Sequence, residues 1–299
     1  MSDKKDLRGV FLPITTPFHE DQTLDVEALE FNISKYNTTD IGGVMPLGSN
    51  GEFRSLSDAE SLTVIRSVKK HLHASKTMIV GAGRESAYAT VEFAKRAIDE
   101  GADYISLLTP FYFKAQMTDT AMLKYYTYAA DRLSVPVLIY CAPKFTGDLV
   151  ISPSVVARLA DHPNIAGMKD TSSEPIAHYA QAVQSKQFAL MAGTINKYID
   201  ALDNGGVGGI ISAANYLPIP CCEIQRLYET GHRERAVALA EDIRALTRLC
   251  SGKTGVAGTK ACMTIMGLRG GYPRLPLLAV DNVEKERIKA ELGRAGYLS

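Results

Sequence analysis

The chain has 299 residues, 46% of them hydrophobic and 22% charged, and its 33 lysines and arginines balance 33 aspartates and glutamates. A net charge of zero supplies no basic field to draw in nucleic acid or an anionic membrane, so neither is expected as a partner. Five cysteines (Cys141, Cys221, Cys222, Cys250, Cys262) without CxxC or Cys–His spacing read as reduced thiols of a cytoplasmic or mitochondrial-matrix protein, and no apolar run suits a bilayer span or a secretory leader.

In chain order, eight short apolar runs recur at intervals of about 25–35 residues. They are 9–15, 42–47, 77–82, 103–109, 135–141, 164–169, 187–192 and 207–213. Rich in Val, Ile and Leu without clean polar alternation, they read as strands covered on both faces. Amphipathic helical stretches separate them. Ser57 and Glu60 have capping-box spacing, Ser86 and Thr118 stand at similar openings, and Ser152 precedes Pro153 at the first helical position. Gly101 and Gly205 fall where helix C-caps belong. Such βα alternation makes either a closed (β/α)8 barrel or a doubly wound sheet. The first strand is followed by TTPFHED, with none of the glycines of a dinucleotide-binding turn, which favours the (β/α)8 TIM barrel. Residues 218–299 hold more helical pattern than an eighth helix needs. The expected division is therefore a barrel over 1–225 and a C-terminal helical extension over 226–299, packed on it.

Chemistry in this architecture sits at the C-terminal ends of the strands. Lys169 ends the sixth run, after Ile165-Ala166-Gly167-Met168, so its stem leaves an apolar interior. Desolvation disfavours an ammonium and favours the amine that attacks a carbonyl to make a Schiff base, an electron sink for C–C bond cleavage. The plainer alternative is a lysine paired to Asp170 or lying on the surface. Tyr140 ends the preceding strand, where a phenol could relay protons to a substrate hydroxyl, with Tyr112 as a second phenol. Gly48-Ser49-Asn50-Gly51 has small residues and side-chain donors suited to a carboxylate, and Glu52 could orient that loop or cap the next helix.

Other constellations fail. His71 and His73 lie at a helix end with unsuitable metal spacing, and neither GxSxG nor a Walker loop is present. The glycines at 205–209 read as places of close helix–sheet packing. Lys253 and Lys260, within 249–260, are rival amines expected on a loop and helix start at the barrel mouth or edge.

PITTPF at 13–18, GSNGE at 48–52, TPFY at 109–112, Tyr140-x-x-Pro143 with Thr146-Gly147, and GMKD at 167–170 occur in order over most of the chain. In this the chain resembles the dihydrodipicolinate synthase / N-acetylneuraminate lyase superfamily. The resemblance implies that Lys169 is the Schiff-base lysine for pyruvate or another 2-oxo acid and Tyr140 the proton shuttle. It further implies that Ser49 and Asn50 bind the carboxylate, Ser49 also joining the hydroxyl relay. Tyr112 would reach a neighbour's site across a dimer interface, with Thr171 and Gly193 contacting substrate. It implies a homotetramer built as a dimer of dimers, a small-molecule 2-oxo acid substrate, and neither cofactor nor metal.

GSNGEF, HPNI-x-GMKD and LMAG look most like 4-hydroxy-2-oxoglutarate aldolases, which release pyruvate and glyoxylate. Where synthases of the family place an arginine for the aldehyde's carboxylate, this chain has Phe145, a departure from the aldolase branch as well as from the synthases, and an apolar ring does not replace a bidentate guanidinium. The leading expectation is thus a class I aldolase acting on a 4-hydroxy-2-oxo acid. The alternatives are dihydrodipicolinate synthase, a 2-keto-3-deoxy sugar acid or N-acetylneuraminate lyase, and a non-catalytic barrel that binds 2-oxo acids.

Overall fold

The computed structural model describes residues 5–298, and the eight expected strands hydrogen-bond in chain order into one closed, all-parallel barrel. They are β1 (Gly9–Leu12), β2 (Gly43–Val44), β3 (Thr77–Gly81), β4 (Tyr104–Leu108), β5 (Val137–Cys141), β6 (Ile165–Asp170), β7 (Ala189–Ala192) and β8 (Gly208–Ile210). Most are shorter than the apolar runs that announce them. β1 stops at Leu12 because Pro13 has no N–H to give the ladder.

Seven helices join successive strands: α1 (Val26–Tyr36), α2 (Asp58–His71), α3 (Ala87–Asp99), α4 (Asp119–Ala130), α5 (Pro153–Leu159), α6 (Ile176–Val183) and α7 (Tyr198–Asp203). Their sequence signals are realised as geometry. The side chains of Ser57, Ser86, Thr118 and Ser152 each accept the backbone N–H three residues on, and Ser57 and Glu60 form the reciprocal box. α2 buries Ser61, Val64, Ile65 and Val68, a spacing that lines one helical face against the barrel. Gly101 and Gly205 follow α3 and α7 with φ of 97° and 79°, the left-handed exit that glycine adopts without penalty. Gly209 lies in β8 where a Cβ would come within 2.7 Å of the Tyr198 ring on α7, the close helix–sheet packing expected there.

After β8 come α8 (Pro218–Glu229), α9 (Arg233–Cys250), α10 (Gly255–Ile265) and α11 (Asn282–Arg294). α9 packs on α8, α7 and the turn after β7, while α10 meets the turn after β8. α8 runs across position 225, where the sequence reading ends the barrel unit. The outer limits of the two expected units, residues 1–4 and Ser299, lie outside the described residues. Among the described residues no helix is long and apolar enough to cross a membrane.

Two apolar layers result. Phe11, Met45, Ile79, Leu138, Met191 and Ile210 fill the barrel, whereas Leu12, Val44, Val80, Leu107, Ile139 and Met168 face the helices. The parity changes once, in β6. Val137 pairs with Ile165 but Leu138 pairs with Gly167, so Ala166 is an extra residue in the ladder. Beyond this bulge Tyr140 stands opposite Lys169, and Met168 faces outward with Ile139.

Removing the α2 cap by Ser57→Ala should cost about 1 kcal/mol of unfolding free energy, because the N–H of Glu60 loses its 3.2 Å acceptor. Urea denaturation of the two proteins checks this, and coincident midpoints would show that the cap contributes nothing.

Candidate active site

Lys169 projects into the barrel with 3% of its surface exposed. Its Nζ lies 4.2 Å from the centre of the Tyr140 ring and 4.0 Å from Met45 Sδ. Among the described residues no carboxylate lies within ion-pair distance of it. Asp170, the partner considered from sequence, points to the opposite face and is held by Lys197, which also donates to the carbonyls of Ser172 (2.9 Å) and Glu174 (2.6 Å). The charge next in sequence is therefore neutralised elsewhere.

Tyr140, 4% exposed, places its hydroxyl 3.4 Å from Ser49 Oγ, with either group able to donate. The amine thus sits against the ring of the phenol whose hydroxyl reaches the loop after β2. Asn50 Nδ2 donates to Ser212 Oγ at 2.7 Å, tying that loop to the end of β8. Ser212 falls within the eighth apolar run, 207–213, yet its pairing with Asn50 is invisible in the sequence. Thr171 donates to the carbonyl of Cys141 at 3.1 Å, and Gly193 N–H to the carbonyl of Asp170 at 2.7 Å. These two positions abut at the ends of β6 and β7, where a Cβ on Gly193 would meet Thr171 Cγ2 at 2.3 Å.

Tyr112 is not brought into this group. It is 75% exposed, its ring meets Phe113 edge-on at 5.0 Å, and its backbone N–H donates to Glu85. Cys141 faces away from the interior, and burial pushes its thiol up to about 12, which leaves it a poor nucleophile. His71 and His73 make separate local contacts at the end of α2, His71 Nδ1 with the Ser67 carbonyl and His73 Nδ1 with the Ser75 hydroxyl.

The loop that carries Ser49 and Asn50 is held in an uncommon shape. Leu47 and Glu52, on either side of it, have φ of 58° and 52°, a left-handed backbone that costs a non-glycine residue about 1–2 kcal/mol. Gly81 lets it pack, since a Cβ there would lie 2.1 Å from the carbonyl oxygen of Leu47. Thr16 donates to the Gly51 carbonyl at 2.8 Å. Glu52 meets Lys260 Nζ through Oε1 at 2.5 Å and accepts Arg274 N–H through Oε2 at 2.8 Å. The guanidinium of Arg274 donates to the carbonyls of Gln22 (2.6 Å) and Ser55 (2.7 Å) and to Glu60 (2.7 Å), and covers the Phe18 ring at 4.2 Å. The loop and helix start expected over 249–260 is the end of α9, a turn and the start of α10, and Lys260 is buried inside that helix. Burial pushes its amine down to about 8 while Glu52 favours the charge. Lys253 is exposed. Sequence reasoning left Lys260 and Arg274 without a role, because no motif links them to position 52.

The dihydrodipicolinate synthetase family profile matches residues 6–295. The chain is 32% identical to the 4-hydroxy-tetrahydrodipicolinate synthase of Methanospirillum hungatei, over 96% of this chain and 98% of that protein. It is 29% identical to the Haloarcula marismortui protein of the same name, over 95% and 92%. The crystal structure of dihydrodipicolinate synthase from Thermotoga maritima superposes with a TM-score of 0.88 at 26% identity, covering 97% of this chain and 99% of that one.

Arg274 holds the Glu60 carboxyl down to about 2 from its ordinary 4.5. A carboxyl with a depressed folded value stabilises above its unfolded value, and that contribution disappears as pH falls from about 4.5 to about 2. The stability deficit of Arg274→Ala should therefore be larger at about pH 6 than at about pH 3. Denaturation midpoints at the two pH values check the sign, and a deficit that grows on acidification would refute it.

Proposed function

The chain belongs to the dihydrodipicolinate synthetase family, and on that premise we propose that Lys169 is the amine by which it binds pyruvate or another 2-oxo acid. The protein is a carbon–carbon lyase of the class I, pyruvate-dependent kind. The observation that carries the reading for this chain is a buried amine without a carboxylate partner among the described residues, set against the ring of Tyr140, whose hydroxyl meets Ser49.

The chemistry follows from those positions. Lys169 Nζ adds to C2 of the 2-oxo acid, water leaves, and the resulting imine withdraws electrons from C3. Deprotonation at C3 gives an enamine that adds to an aldehyde. In the opposite direction, loss of the C4 hydroxyl proton breaks C3–C4 and leaves the same enamine. Tyr140 is the group proposed to take and return that proton, with Ser49 as the next hydroxyl in the relay. Ser49 and Asn50 hold the C1 carboxylate, and Thr171 and Gly193 border the remainder of the substrate. The imine is itself the electron sink, so the proposal calls for neither cofactor nor metal.

Two readings of the aldehyde each have support. The relatives named 4-hydroxy-tetrahydrodipicolinate synthase favour condensation of pyruvate with aspartate semialdehyde. The likeness of GSNGEF, HPNI-x-GMKD and LMAG to 4-hydroxy-2-oxoglutarate aldolases favours cleavage to pyruvate and glyoxylate instead, while Phe145, 45% exposed at the turn after β5, offers neither aldehyde's carboxylate the arginine that synthases of the family carry. Assembly as a homotetramer, a dimer of dimers, is proposed as well. It would give the exposed Tyr112 a neighbour to reach.

Borohydride reduction with pyruvate should place a pyruvate-derived mass on the peptide containing Lys169, and Lys169→Ala should lower turnover by about a thousandfold or more. A mass on any other lysine overturns the assignment. Steady-state rates with aspartate semialdehyde plus pyruvate, set against 4-hydroxy-2-oxoglutarate, should differ by about tenfold or more, since the two aldehydes differ in length and in the amino group that only one of them carries. A faster condensation selects the synthase reading, and a faster cleavage selects the aldolase.

A further inference from the structure

Beneath the loop of Ser49 and Asn50 lies an ion pair contributed by segments more than half the chain apart. The side chains of Glu52 and Lys260 are each 1% exposed and meet at 2.5 Å. Lys260 also donates to the carbonyl of Tyr272 at 2.7 Å and lies 4.6 Å from the centre of the Phe18 ring. The second oxygen of Glu52 accepts Arg274 N–H, so the cation beside this carboxylate and its hydrogen-bond donor come from α10 and the strap that follows it.

A buried ion pair seldom adds net stability over apolar side chains of the same volume, because desolvation of both charges offsets their attraction. What it does add here is geometry. The turn is a single hydrogen-bonded unit, with Gly51 N–H to Gly48 O at 3.0 Å and Glu52 N–H to Ser49 O at 3.1 Å. The left-handed backbone of Glu52 fixes where that unit ends, and such a conformation persists only where its surroundings over-determine it. The Lys260 amine and the Arg274 N–H supply that constraint. Ser49 and Asn50 therefore point where they do because the far end of the chain holds Glu52.

We infer that Lys260 and Glu52 are positioning residues for the carboxylate of the 2-oxo acid: their buried pair locks the Ser49–Asn50 turn in its receiving geometry and makes the C-terminal helices part of substrate recognition. Neither residue touches substrate. The inference rests on the reading of Lys169 as the imine-forming amine.

The test compares a ketone that has a carboxylate with one that lacks it. In the unsubstituted protein, borohydride trapping at Lys169 is measured against pyruvate and against acetone. In Lys260→Met the pyruvate concentration for half-maximal trapping should rise about tenfold or more, while trapping by acetone stays within about twofold. Glu52→Gln, which keeps the shape and removes the charge, should shift pyruvate in the same direction and carries the comparison if Lys260→Met does not fold. Equal losses for the two ketones would assign the pair to general stability, and an unchanged pyruvate concentration in both variants would show that it does not control the turn. Either outcome overturns the inference and leaves the imine reading intact. Absence of an adduct at Lys169 in the unsubstituted protein overturns that reading and the inference with it.

Discussion

One extra residue in β6 decides which face of the barrel wall the central amine occupies. Side chains alternate across a strand, so a shift of one position moves every later residue to the other face. Were Ala166 to pair with Leu138, Met168 would fill the barrel and Lys169 would face the helices. Pairing Leu138 with Gly167 instead puts Lys169 opposite Tyr140, inside. The same shift sends Asp170 outward to Lys197, which removes the nearest carboxylate from the amine. The proposed imine chemistry depends on both consequences.

Two buried lysines, Lys169 and Lys260, and the half-buried Lys197 show how local charge separates their roles. Lys197 and Lys260 each meet a carboxylate and further carbonyl oxygens, so each works as a clamp between segments. Lys169 has a thioether and an aromatic face for company. Burial by itself does not distinguish them, since Lys260 is at least as buried as Lys169. The distinction lies in what surrounds each amine, and that is a matter of three-dimensional neighbours.

The clamps also explain why the loop after β2 keeps its unfavourable backbone. Left-handed residues at Leu47 and Glu52 need compensation. It comes from four places: the missing Cβ of Gly81, the Thr16 hydroxyl, the Ser212 hydroxyl and the Lys260–Arg274 side of the chain. Fold and site are thereby built from the same contacts, and no one motif contains the site.

The chain sequence by itself determined the eight strands, the caps at Ser57, Ser86, Thr118 and Ser152, and the strand ends that carry Lys169, Tyr140, Ser49 and Asn50. These are legible because hydrophobic runs, capping hydroxyls and βα order are local properties, set within a few residues. The tertiary structure alone decided the bulge at Ala166, the outward turn of Asp170, the placement of Tyr112 away from the amine, and the pairing of Glu52 with a lysine 208 positions later. Register and long-range ion pairs arise only when the barrel closes, and closure depends on the sum of all eight strands, so no local pattern encodes them.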